Sequence, residues 1–132
     1  MSIAAAAVLV GGSLTPSGGS SEDLTSLGIV SGVHRAIFNG STFLDRSEAA
    51  FSVSEPKIKT DAPNGYTQQR CTMKLKFPLA LDNGNSTFNT VEVKVSYDPE
   101  TTASEVAEMC GEAAQFLVSS DLTSFWDSQS LE

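Results

Sequence analysis

The sequence predicts an α+β chain: an antiparallel sheet followed by two C-terminal α-helices. Three observations predict it. Apolar and polar residues alternate with period two through the middle of the chain, turn signals separate the alternating runs, and the spacing becomes helical after Asp98. At 132 residues the chain has the length of one domain. No apolar run approaches the roughly 20 residues of a membrane helix.

The elements follow in order. Residues 3–10 are apolar and alanine-rich and stop at Gly11-Gly12, a turn signal. They lack the Lys/Arg start of a secretion signal, so a first strand is expected. Residues 13–16 then serve as its return strand, making a β-hairpin of residues 1–16. Residues 17–26 read as a polar loop. Residues 33–38 form a short strand closed by Asn39-Gly40, a hairpin signal. In residues 46–59, Ala49, Phe51 and Val53 alternate with Ala50, Ser52 and Ser54, and Pro56 ends that strand or places it at an edge. Pro63-Asn64-Gly65 is a further turn, residues 66–77 are the longest strand, and residues 87–97 the last. The antiparallel sheet thus spans residues 33–97.

Residues 102–130 read as a helix pair. Thr102 and Glu105 fit a capping box. Val106, Met109, Cys110, Ala113, Phe116 and Leu117 recur at helical spacing as one apolar stripe, expected to be buried, while Glu105, Glu108 and Glu112 fall outside it. Ser119-Ser120-Asp121 breaks the helix and caps a shorter one through Leu122, Phe125 and Trp126.

Charge is divided unevenly along the chain. The net charge is −8, yet residues 57–76 hold five basic residues and one acidic residue, whereas residues 98–132 hold eight acidic residues and no basic one. The two regions are expected to face different surroundings. Cys71 and Cys110 sit in apolar patterns and are expected as reduced, buried thiols. With a single histidine and no C-x-x-C spacing, neither a metal nor another cofactor is expected. No nucleophile motif, P-loop or dinucleotide fingerprint occurs, so no enzyme is expected.

Alternation assigns faces. Cys71, Met73, Leu75 and Phe77 share one face of the long strand with Val91, Val93, Val95 and Tyr97 of the last. Gln68, Arg70, Thr72, Lys74 and Lys76 share the other with Phe88, Thr90, Glu92, Lys94 and Ser96. Cations on that second face can neutralise phosphates, and Phe88 can stack on an unpaired base. A small sheet with helices only at the chain's end also leaves edges and an apolar face to cover. Pairing of two copies resolves both.

With these features in place, the chain from Ser47 onward resembles the coat proteins of levivirus-type single-stranded RNA bacteriophages, nearest the allolevivirus branch. The resemblance rests on Ala49-Phe51-Val53 with Ser52, Ser54 and Pro56, on the strand from Gln68 to Pro78, on Val91 to Val95 leading into a Thr-capped helix, and on the helix pair split at Ser119-Ser120-Asp121. It implies an N-terminal β-hairpin, a five-stranded antiparallel sheet and two C-terminal helices. It also implies interlocked homodimers assembling into an icosahedral capsid in the bacterial cytoplasm, with the sheet inside and the helices outside. The partners it brings are genomic RNA and an RNA hairpin, through which the replicase would be translationally repressed; no membrane is involved. Carried over by position, a pocket for an unpaired adenine comprises Val33, Ala50, Ser52, Thr72 and Lys74. Ser54, Gln68, Arg70, Lys76, Phe88, Thr90 and Lys94 extend the RNA-binding surface. Ala50 departs from the hydroxyl residue common in relatives, and Phe88 from their tyrosine. Pro78, Leu79, Ala80, Leu81, Asp82, Asn83, Gly84, Asn85 and Ser86 would form the loop at the symmetry axes. That loop has no cysteine, so a shell held together non-covalently is expected. The alternative reading is a small dimeric α+β binding module that takes a ligand or protein on its open sheet face.

Overall fold

The computed structural model describes residues 3–12 and 14–131. Five strands form one sheet in sequence order: β1 (Thr25–Val30), β2 (Val33–Phe38), β3 (Ser47–Ser54), β4 (Gln69–Ala80) and β5 (Ser86–Tyr97). Every neighbouring pair is antiparallel. The sheet lies in one compact unit, residues 19–99, and the helices in a second, formed by the chain up to Gly18 and from Glu100 onward.

Strand β1 replaces part of the expected polar loop. Its alternation is obscured because the register shifts between Ser26 and Gly28, where Gly28 has φ +87°. A bulge of this kind inserts a residue and breaks the period-two pattern. The turn into β2 is Ser31-Gly32, with φ values of 53° and 77°. Two successive positive φ values suit a tight hairpin of right-handed twist. The next connection is longer than Asn39-Gly40 alone implied. Gly40 (φ +150°) is followed by a turn in which the Thr42 N–H and hydroxyl both donate to Asp45 Oδ1. A side chain at Gly40 would collide with the Asp45 carbonyl, 2.5 Å from a Cβ position.

The connection from β3 to β4 folds on itself. Ile58 bridges Tyr66, Lys59 N–H donates to Gly65 O at 2.8 Å, and Asn64 Nδ2 donates to Asp98 Oδ1 at 2.7 Å. The β4–β5 loop is shorter than expected. Pro78, Leu79, Ala80 and Ser86 are strand residues, leaving residues 81–85 as the loop. Pro78 is tolerated because the β3–β4 ladder ends at Glu48–Lys76, so beyond Lys76 only β5 pairs with β4. The loop closes through Leu81 N–H to Asn85 O at 2.8 Å and Gly84 N–H to Leu81 O at 3.1 Å.

In the helical unit, α1 (Ala103–Val118) is capped by Thr102, whose hydroxyl oxygen accepts from Glu105 N–H at 3.2 Å and donates to Glu105 Oε1 at 3.0 Å. A 3-10 turn (Ser120–Leu122) leads into α2 (Thr123–Ser128), which Trp126 fastens back by donating to Phe116 O at 2.9 Å. The expected N-terminal hairpin is not what forms. Ile3–Ala5 is a 3-10 turn, and no strand occurs among the described residues before Thr25; Ser13 lies outside them. The reason is a distant side chain: Gln115 donates to Leu9 O at 3.0 Å and accepts from Leu9 N–H at 2.8 Å. It occupies the backbone groups that a return strand would use.

Burial is sparse. Among the described residues the buried apolar side chains are Ala36, Ala49 and Leu122, and Ala36 stands opposite Ala49. Phe51, Val53, Cys71 and Val91 on the same sheet face are exposed. The α1 stripe differs from expectation in the same way: Val106 is only half-buried, and Met109, Cys110, Ala113, Phe116 and Leu117 stand exposed. Cys71 and Cys110, expected to be buried, are both exposed in the single chain. Covering such side chains stabilises by ~1.5–3 kcal/mol for each large one.

Candidate nucleic-acid interface

The ladder registers turn the period-two reading into rows across the polar face. Ser54, Arg70 and Ser96 form the first row, and Val33, Ser52, Thr72 and Lys94 the second. Arg35, Ala50, Lys74 and Glu92 form the third; Ile37, Glu48, Lys76 and Thr90 the fourth. Phe88 follows opposite Pro78, and Lys76 Nζ stands 5.9 Å from the Phe88 ring centroid, a cation–π pair. Cross-strand partners share a face, so the expected residues Val33, Ala50, Ser52, Ser54, Arg70, Thr72, Lys74, Lys76, Phe88, Thr90 and Lys94 come together on one surface. Gln68 does not join a row. It precedes β4 and lines, with Lys59, Asp61, Tyr66 and Arg70, a concavity of about 380 Å³ at that end of the sheet unit.

Two charged residues of this face went unread in the sequence. Arg35 shares the β2 parity of Val33, and Glu48 shares the β3 parity of Ala50. Arg35 Nη2 donates to Glu48 Oε2 at 2.8 Å, and Arg46 Nη2 donates to Glu48 Oε1 at 3.1 Å. Burial pushes the Glu48 carboxyl up, but the hydrogen bonds and charges of Arg35 and Arg46 outweigh it and hold the pKa below the usual 4.5. The Arg46 guanidinium also lies 5.4 Å from the Phe43 ring centroid.

A concavity of about 420 Å³ opens on this face, lined by Arg35, Glu48, Ala50, Lys74 and Lys76. Its origin is a size mismatch: Ala50 carries one methyl group between the long side chains of Arg35, Glu48, Lys74 and Lys76. The opposite face carries a concavity of about 370 Å³ among Phe51, Val53, Cys71, Met73, Val93 and Val95, with an apolar lining. Among the described residues no group of three or more His, Cys, Asp or Glu could hold a metal, and no helix is long and apolar enough to cross a membrane.

This architecture, an open five-stranded antiparallel sheet followed by helices, defines the fold class of the RNA-phage coat proteins. Several solved structures share it. A chain from the virus-like particle of bacteriophage GQ-907 superposes with a TM-score of 0.86 at 24% identity, covering 99% of this chain and 100% of that one. Chains from the virus-like particles of Beihai levi-like virus 21 (TM-score 0.62, 16% identity, 88% and 91% covered) and bacteriophage AVE019 (0.65, 11%, 88% and 92%) follow. No protein-family model and no curated protein sequence matches the chain.

Proposed function

We propose that this chain is a structural coat protein that dimerises, assembles into an icosahedral capsid and meets single-stranded RNA with the polar face of its sheet. The observation that carries this reading is the end-to-end superposition on a virus-like-particle subunit, 99% of one chain on 100% of the other. Two surface features support it. The sheet's apolar face and the α1 stripe are both exposed in the single chain, which suits cover by a second copy. The polar face gathers Arg35, Arg70, Lys74, Lys76 and Lys94, although the chain as a whole carries −8. Sequence-specific recognition of a hairpin, and repression of the replicase through it, form the finer part of the proposal.

Expression of the chain alone tests it. Size-exclusion chromatography with absorbance at two wavelengths, followed by electron microscopy, should show closed particles holding nuclease-protected RNA. Arg70→Ala and Lys74→Ala should each weaken RNA capture and flatten its salt dependence, by roughly 0.7 in log–log slope for each phosphate no longer neutralised. A species of dimer size free of nucleic acid would instead favour the binding-module reading.

A further inference from the structure

The well over Ala50 has the make-up of an anion seat. It sits where a methyl group is ringed by Arg35 and Lys74 in its own row and by Glu48 and Lys76 in the next. Three of the four surrounding side chains are cationic. The one carboxylate already has both oxygens engaged, Oε2 by Arg35 and Oε1 by Arg46. Glu48 is also the more sheltered partner, 14% exposed against 48% for Arg35. A new anion therefore meets the side chains of Arg35, Lys74 and Lys76 around the well, with Lys76 Nζ 5.9 Å from the Phe88 ring centroid, while Arg46 keeps Glu48 neutralised from the side. The geometry points to a phosphodiester seat: one phosphate of single-stranded RNA held by Arg35, Lys74 and Lys76 over the Ala50 methyl, with Glu48 as the positioning residue that aims the Arg35 guanidinium. Arginine suits this role because its planar fork can hold a carboxylate on one edge and present further N–H groups to a phosphate on another. The inference rests on the RNA-binding reading and adds two residues to it, Arg35 and Glu48. It assigns the well to backbone and not to a base.

Three variants test it against dimers binding 20-nucleotide single-stranded RNAs of mixed, oligo(A) and oligo(U) sequence. Ala50→Leu fills the well without changing charge and should weaken all three RNAs about tenfold, the scale of one charge-assisted hydrogen bond. Arg35→Gln should weaken all three and lower the salt slope by about 0.7. Glu48→Gln should weaken binding while leaving the slope no lower, because it removes no cation. Circular dichroism checks that each variant is folded, and Arg35→Gln decides the matter if Ala50→Leu does not fold. Wild-type affinity and slope in Arg35→Gln would overturn the seat while leaving the RNA reading intact. Loss confined to one sequence would also overturn it, since a base would then occupy the well. Failure of the unmodified dimer to bind any of the RNAs would overturn both readings.

Discussion

The carboxamide of Gln115 closes a two-bond ring on the backbone of Leu9, 106 residues away in sequence, accepting from its N–H at 2.8 Å and donating to its carbonyl at 3.0 Å. A strand neighbour would make the same pair of bonds. One side chain of α1 thus substitutes for a strand partner and holds the N-terminal segment against the helix. Gln115→Ala should cost about 1–2 kcal/mol, two exposed hydrogen bonds at ordinary net strength. Gln115→Glu should cost more, because it loses the donor and turns a carboxylate toward the Leu9 carbonyl. Hydrogen exchange at the Leu9 amide reads the effect directly. Protection unchanged in Gln115→Ala would refute the clamp.

Beside that clamp, the segment crosses α1 at Gly111. A Cβ built there would lie 3.2 Å from Gly12 O, closer than ordinary van der Waals packing. Alanine in mid-helix is normally better than glycine by about 1 kcal/mol. Here crowding against a carbonyl offsets that gain, so Gly111→Ala should be close to neutral in denaturant unfolding. Gly111→Val cannot be accommodated without displacing the segment, and Leu9 should lose exchange protection in that variant. A clear rise in stability for Gly111→Ala would show that the two pieces do not meet.

The long strands were legible because their alternation is uninterrupted: the residues from Arg70 to Phe77 and from Phe88 to Tyr97 take the faces that parity assigned. The α1 cap at Thr102 was legible for a similar reason, a local motif with a local geometry. Strand β1 was not, because the bulge at Ser26–Gly28 breaks the period. The N-terminal segment was misread because its partner is Gln115, a pairing no short-range pattern encodes. Of the candidate site, the cationic rows followed from parity, whereas the well did not. It depends on Ala50 being small between Arg35 and Lys74 on two other strands, a relation that exists only once the register is fixed. Burial was the poorest inference, since the apolar stripe of α1 predicts a buried surface without saying which chain covers it.

Glu48 gives the sheet an acid-sensitive link. Its pKa is lowered on folding, so its contribution is complete above the unfolded value near 4.5 and is lost as pH falls through the lower, folded value. Below that point Arg35 and Arg46 lose their shared acceptor between β2 and β3. Urea unfolding should therefore show a stability drop as pH falls below 4.5 that is smaller in Glu48→Gln, with the variant already weaker at pH 7. Parallel curves for the two proteins from pH 7 to pH 3 would remove Glu48 from any such role.

Thiol chemistry separates a covered chain from a lone one. Cys71 lies on the apolar sheet face and Cys110 in the α1 stripe, and both are exposed in the single chain. Under the proposed assembly a second copy covers these two surfaces. Cys71 and Cys110 should then react slowly with a disulfide reagent in assembled particles and rapidly once denatured, because access governs thiol exchange. The β4–β5 loop, residues 81–85, carries no cysteine. Particles boiled without reductant should accordingly run as single chains, with no ladder of pentamers or hexamers. Mass spectrometry of the labelled particles can score each thiol separately. Rapid labelling of both in intact particles would mean that neither surface is covered, and the dimeric cover would have to be abandoned even if the shell itself formed.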